Sequence, residues 1–61
     1  MFYKKVIRYC NENKLSVMGF EIMCDLANGT VSKWKNGGNP SLTTLMKIAN
    51  ATHIPIKEWV E

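Results

Sequence analysis

The chain has 61 residues, 46% of them hydrophobic and 21% charged, with eight Lys and Arg against five Asp and Glu for a formal charge of +3. That length predicts one domain spanning residues 1–61, near the lower limit at which an apolar core alone stabilises a fold, and leaves little room for an active site. The composition excludes a disordered chain, and the modest basic excess favours polyanionic partners without requiring them.

Residues 2–12 place Phe2 or Tyr3, Val6, Ile7 and Cys10 at helical spacing, with Lys4, Lys5 and Arg8 turned outward to solvent or to long-range steering of a polyanion. A first amphipathic helix is expected there, with Asn11 to Lys14 as its polar exit. Ser16 is a suitable N-cap for a short second helix carrying Val17, Phe20, Met23 and Cys24 inward. Gly19 weakens that helix unless close packing calls for a bare backbone. Asp25 to Ala27 then reads as a connector that turns the chain into the next helix, and two helices joined by three or four residues make a helix-turn-helix.

The third helix is expected over Asn28-Gly29-Thr30-Val31-Ser32-Lys33-Trp34-Lys35-Asn36, ended by Gly37-Gly38. Its faces differ in chemistry. Val31 and Trp34 fall three apart on an apolar side, while Asn28, Thr30, Ser32, Lys33 and Asn36 supply amides, hydroxyls and an ammonium elsewhere, with no acidic residue in the stretch. Such side chains hydrogen-bond base edges or phosphates, so the segment reads as a helix that lies in a DNA major groove. Ser41 caps a fourth helix in which Leu42, Leu45, Met46, Ile48 and Ala49 repeat at intervals of three and four. His53 falls in an exposed connector, and Ile54 to Val60 forms a last short helix with Trp59 closing the core.

Cys10 and Cys24 have neither the spacing of a metal site nor that of a redox pair, and with one His there is no tetrahedral zinc set. They read as reduced core thiols, and the four Met as core filler. The sequence calls for no cofactor. There is no Ser-His-Asp arrangement, paired carboxylate or phosphate-cradling loop, so enzymatic chemistry is not expected. No leader and no apolar run of about 18 residues is present, and a cytoplasmic protein with no membrane partner is expected.

Three stretches carry a resemblance: Asn28 to Gly37, then Pro40-Ser41-Leu42, then Leu45-Met46-Lys47-Ile48-Ala49 followed by Ile54, Ile56 and Trp59. Together they resemble the lambda-repressor-like helix-turn-helix family of phage repressors, Cro proteins and XRE-type regulators, over about residues 3–60. The resemblance implies an all-α, compact five-helix fold whose second and third helices form the DNA-binding motif. It puts Asn28, Gly29, Ser32 and Lys33 toward bases. Ser16, Val17, Thr30 and the loop from Asn36 through Asn39 to Ser41 face the backbone.

The chain also departs from the family pattern. Val17 stands where many members have Gln and offers only its backbone N–H, and Glu21 stands where a small residue is common. Asp25 holds a turn position often given to Gly, and it tolerates a left-handed conformation better than most residues. Ala27 replaces a Ser or Thr cap, so the amides of helix three fall to Asp25 or Asn28. Cys10 and Lys35 stand where members pair Arg with Glu, which frees Lys35 to face phosphate. The implied function is a small DNA-binding regulator of a bacterium, phage or mobile element that binds a two-half-site operator as a weak homodimer formed on DNA. An antitoxin-like module with a protein partner and a DNA-bending recombination-directionality factor are the alternatives.

Overall fold

The computed structural model describes residues 2–61. Five helices follow in chain order: α1 Phe2–Glu12, α2 Val17–Met23, α3 Ser32–Lys35, α4 Leu42–Thr52 and α5 Ile56–Val60, with no strand among the described residues. They pack into a body of 25 × 23 × 19 Å around one cluster of Phe2, Val6, Cys10, Phe20, Cys24, Val31, Trp34, Ile48 and Trp59. Every helix contributes, so none can be removed without opening the core.

Aromatic rings join the two ends of the chain. Trp59 lies 5.6 Å from Phe2, 5.9 Å from Tyr9 and 6.3 Å from Phe20, centroid to centroid, while Phe2 meets Trp34 edge-on at 5.1 Å. Such pairs contribute about 0.5–1.5 kcal/mol beyond their burial. The Trp59 indole N–H donates to Thr52 Oγ1, which itself donates to the Ile48 carbonyl, so the polar edge of the buried ring is satisfied. Lys5 Nζ donates to the carbonyls of Glu58 and Trp59. This corrects the outward placement of Lys5: its ammonium satisfies the open carbonyls at the end of α5.

Three helix ends use left-handed residues other than glycine. After α1, Lys14 has φ 52°, Leu15 N–H reaches the Cys10 carbonyl and Lys14 N–H the Asn11 carbonyl. After α2, Asp25 has φ 57°, with Leu26 N–H on the Glu21 carbonyl and Asp25 N–H on that of Ile22. Both patterns are Schellman closures, for which glycine is the least strained residue. The expected tolerance of Asp25 for this conformation is used. His53 ends α4 in the same region, exposed, at φ 61°.

Several expected positions shift. The third helix is one turn, not nine residues, because Gly29 at φ +90° takes the backbone out of the helical region, and Asn28 to Val31 form turns before it. The connector between α2 and α3 is accordingly residues 24–31, longer than three or four. Leu42 and Met46 are exposed, since α4 turns Ile48 fully inward with Leu45 and Thr52 beside it. Met18 and Met23 are exposed as well, so Met18, Met23 and Met46 are not core filler; Met1 lies outside the described residues. Both cysteines are free and buried. Burial pushes the Cys10 thiol up, and burial with the added effect of Cys10 pushes Cys24 up to about 11, so both remain protonated at neutral pH.

Trp59→Ala should cost about 3–5 kcal/mol, comparable to the whole stability of a domain this small. Chemical denaturation checks this, and a midpoint equal to the parent's would contradict the ring's place in the core. Lys14→Gly should instead stabilise by about 1 kcal/mol by relieving the left-handed strain. A lower melting temperature in that variant would contradict the closure.

Candidate nucleic-acid interface

The interface is built outward from a buried acid. On α2, Val17, Phe20, Glu21 and Cys24 occupy the i, i+3, i+4, i+7 stripe that faces the core, and three of the four are apolar. Glu21 is only 3% exposed. Its carboxylate accepts Val31 N–H at 2.9 Å and Gly29 N–H at 3.4 Å, so it spans from the middle of α2 to the turns that lead into α3. The amides before α3 are therefore satisfied by Glu21, not by Asp25 or Asn28. A buried carboxylate is tolerable when hydrogen-bonded, and such charge-assisted bonds are stronger than neutral ones.

Above that anchor, residues 27–30 form a type II turn. Thr30 N–H closes it on the Ala27 carbonyl at 3.1 Å, with Asn28 first and Gly29 second of the central pair, and φ +90° at Gly29 meets the positive φ that the turn demands. Thr30 Oγ1 also donates to the Ala27 carbonyl at 2.7 Å. Lys33 N–H and Trp34 N–H then reach back three residues to Thr30 and Val31, a tight start for a one-turn helix. Val31 is completely buried and Trp34 nearly so. Those two hold the inner side, leaving Asn28, Ser32 and Lys33 exposed on the outer one.

The remaining predicted residues divide between nearby and flanking positions. Lys35 is exposed but lies across Trp34 from Lys33, because successive helical residues are about 100° apart. The two ammoniums therefore flank the helix and do not share a face. Ser16 caps α2, its Oγ accepting Gly19 N–H at 2.9 Å, while Val17 is half-buried and offers its backbone. A Cβ at Gly19 would come within 2.9 Å of a Leu15 methyl and 3.2 Å of Ser16 Oγ, both side-chain ends that can move aside, so packing does not by itself require glycine there. Asn36 ends α3 and Gly37 follows at φ +102°, with Asn39 exposed in the loop. A Cβ at Gly38 would lie 2.7 Å from the Lys33 carbonyl, which ties that loop closely against α3. Ser41 caps α4 by accepting Thr44 N–H at 3.2 Å.

Electrostatically the outer side is cationic. Ion pairs among the described residues join Arg8 to Glu12 and Lys47 to Asp25, and neither involves Lys33 or Lys35. Glu21 is buried beneath the turns and engaged by their amides. No group of three or more His, Cys, Asp or Glu among the described residues could hold a metal ion. No described helix is long and apolar enough to cross a membrane.

Sequence reasoning missed Glu21 as the organising residue. The available signal was a lone carboxylate inside an otherwise apolar stripe. Glu21→Ala should leave the two amides without their acceptor and destabilise the domain by about 1–3 kcal/mol. Glu21→Gln, with one carbonyl oxygen, should fall between parent and Ala. Amide exchange at Val31 checks this directly, and unchanged Val31 protection in the Ala variant would contradict the anchor.

The five-helix arrangement and its capped α2–α3 unit can be set beside known proteins. A helix-turn-helix family model matches residues 8–59, from the second half of α1 to Trp59. No curated protein and no solved structure matches the chain. With the match covering most of its length and all the elements of the motif, this chain belongs to the XRE/lambda-repressor-like helix-turn-helix family, whose domains bind DNA.

Proposed function

We propose that the protein is a sequence-specific transcriptional regulator of repressor or Cro type that binds operator DNA as a homodimer. The observation that carries this reading is the outer side of the α3 region, where Asn28, Ser32 and Lys33 stand exposed with no exposed acid among residues 28–36. In this reading the type II turn and α3 enter the major groove. Lys33 donates to guanine O6 and N7 or to phosphate, Asn28 pairs with adenine, and Gly29 lets the backbone come close. Ser32 adds a short hydroxyl contact. Val17 and Ser16 offer the start of α2 to a phosphate, while Thr30, Lys35, Asn36, Asn39 and Ser41 meet the backbone on either side.

One short helix reads only a few base pairs, and a second half-site one helical turn away supplies the missing specificity. The exposed apolar residues Leu42, Met46 and Val60 support a pairing surface, being 67%, 51% and 59% accessible on α4 and α5. Ile56, on α5 with Val60, is half-buried. The pairing is weak in the free protein and is completed on DNA, which holds two copies at high effective concentration. A bacterial, phage or mobile-element source and a cytoplasmic location fit this reading.

The same apolar residues also support a second reading, in which they bind a different protein chain in an antitoxin-like complex. Binding to duplexes with one and two half-sites separates the two, since the homodimer predicts tighter binding per site on the paired duplex. Equal affinity per site would rule out the dimeric mechanism.

Lys33→Ala and Asn28→Ala should each weaken binding to the selected operator by about 1–3 kcal/mol with melting temperatures close to the parent's. Affinity should also fall steeply as salt rises, because each neutralised phosphate releases counterions. Fluorescence anisotropy over a salt series measures both. Unchanged operator affinity in both variants would overturn the assignment of α3 as the recognition element.

A further inference from the structure

Two of the residues proposed to meet DNA, Asn28 and Asn36, are each followed by glycine. An Asn-Gly pair undergoes a specific side reaction. The glycine nitrogen attacks the asparagine side-chain carbonyl carbon, forming a C–N bond and expelling ammonia, and water then opens the resulting succinimide at either carbonyl to give aspartate or isoaspartate. Glycine permits the reaction because it has no side chain to obstruct ring closure and because its backbone rotates freely. In a folded chain, the rate depends on whether that nitrogen can reach the carbonyl.

The two sites differ in this respect. Gly37 N–H closes the end of α3 by donating to the Trp34 carbonyl at 3.2 Å, and Asn36 is held at φ −100° and ψ 21° as the helix cap. Ring closure there has to break a backbone bond of the helix. Gly29 N–H belongs instead to the central peptide of the type II turn, and the bond that closes this turn is made by Thr30 N–H to Ala27. The central peptide can rotate while that bond stays intact. Its own N–H is held only by the longer of the two Glu21 contacts, 3.4 Å, while Val31 keeps the shorter one at 2.9 Å. Asn28 and Asn36 are both exposed, and the space where a Cβ would stand is open at both Gly29 and Gly37, so the two sites differ in their hydrogen bonds and not in crowding.

We propose that Asn28 is a spontaneous deamidation site in the folded protein, reacting ahead of Asn36, and that the product carboxylate weakens duplex DNA binding. Each event lowers the formal charge of +3 by one. It places the new negative charge beside the phosphates, where like charges repel. The isoaspartate form also inserts an extra backbone methylene into the turn that Glu21 anchors. The protein thereby ages into a weaker binder without proteolysis or any second protein. The consequence for DNA rests on the functional reading above; the chemistry does not.

The test incubates the protein at mildly alkaline pH, folded and in denaturant, and follows isoaspartate at each asparagine by peptide mapping. Folding should slow Asn36 far more than Asn28, so that Asn28 is the first site modified in the native protein. Modification of Asn36 first, or equal retardation at both sites, would overturn the proposal. The effect on binding is read from Asn28→Asp on a duplex selected with the freshly purified parent protein, with an expected loss of about fivefold or more, the lower end of one base contact. Unchanged affinity in that variant would overturn the weakening. If the parent binds no duplex at all, the functional reading fails, while the peptide map still decides the site of modification.

Discussion

The carboxylate of Glu21 is the constraint on which the exposed side of the α3 region depends. It is buried in the middle of α2 and takes the amides of Gly29 and Val31, joining two helices that share no backbone hydrogen bonds. A charge held this way has few alternative positions, because leaving the buried Val31 amide unpaired costs the desolvation of a donor, and the half-buried Gly29 amide adds a longer second contact. The acid therefore fixes the angle at which the type II turn and α3 leave the core. Val31 and Trp34 complete the attachment from the apolar side. With its inner side held at three points, a helix of one turn can present a defined outer side that its own hydrogen bonds could not maintain.

The core supports this arrangement by closing the chain on itself. Trp59 meets rings from α1 and α2, Lys5 holds the last carbonyls of α5, and Phe2 reaches Trp34. The α3 region thus rests on contacts from both ends of the sequence, and damage to the last five-residue helix would reach its exposed side through Phe2. In so small a molecule, stability and presentation of the interface are not separable.

Much of this was legible in the sequence because local chemistry decides it. The bounds of α1 follow from its apolar spacing, Ser16 and Ser41 cap α2 and α4 with their hydroxyls, and Gly37 ends α3. Val31 and Trp34 were correctly placed inward because helix and turn geometries leave both on the same side. The length of α3 was not legible, since a helical reading of residues 28–36 ignores the positive φ that Asn-Gly takes in a type II turn. The face of α4 was also ambiguous: Leu42, Leu45, Met46 and Ala49 form one stripe, and Leu45, Ile48 and Thr52 form another. Tertiary packing chose the second, in which Thr52 serves the indole of Trp59. Glu21 escaped because a carboxylate on a buried stripe declares its partners only once the following turn has been placed.

The central claim is that the Glu21-anchored unit of α2 and α3 is the surface that meets DNA. Amide chemical-shift mapping during titration with a selected duplex tests it most directly. The account predicts the largest changes at residues 16–18, 28–36 and 39–42, with little at the outer face of α1. Changes concentrated on α1 and α5, with residues 28–36 unaffected at saturation, would contradict it.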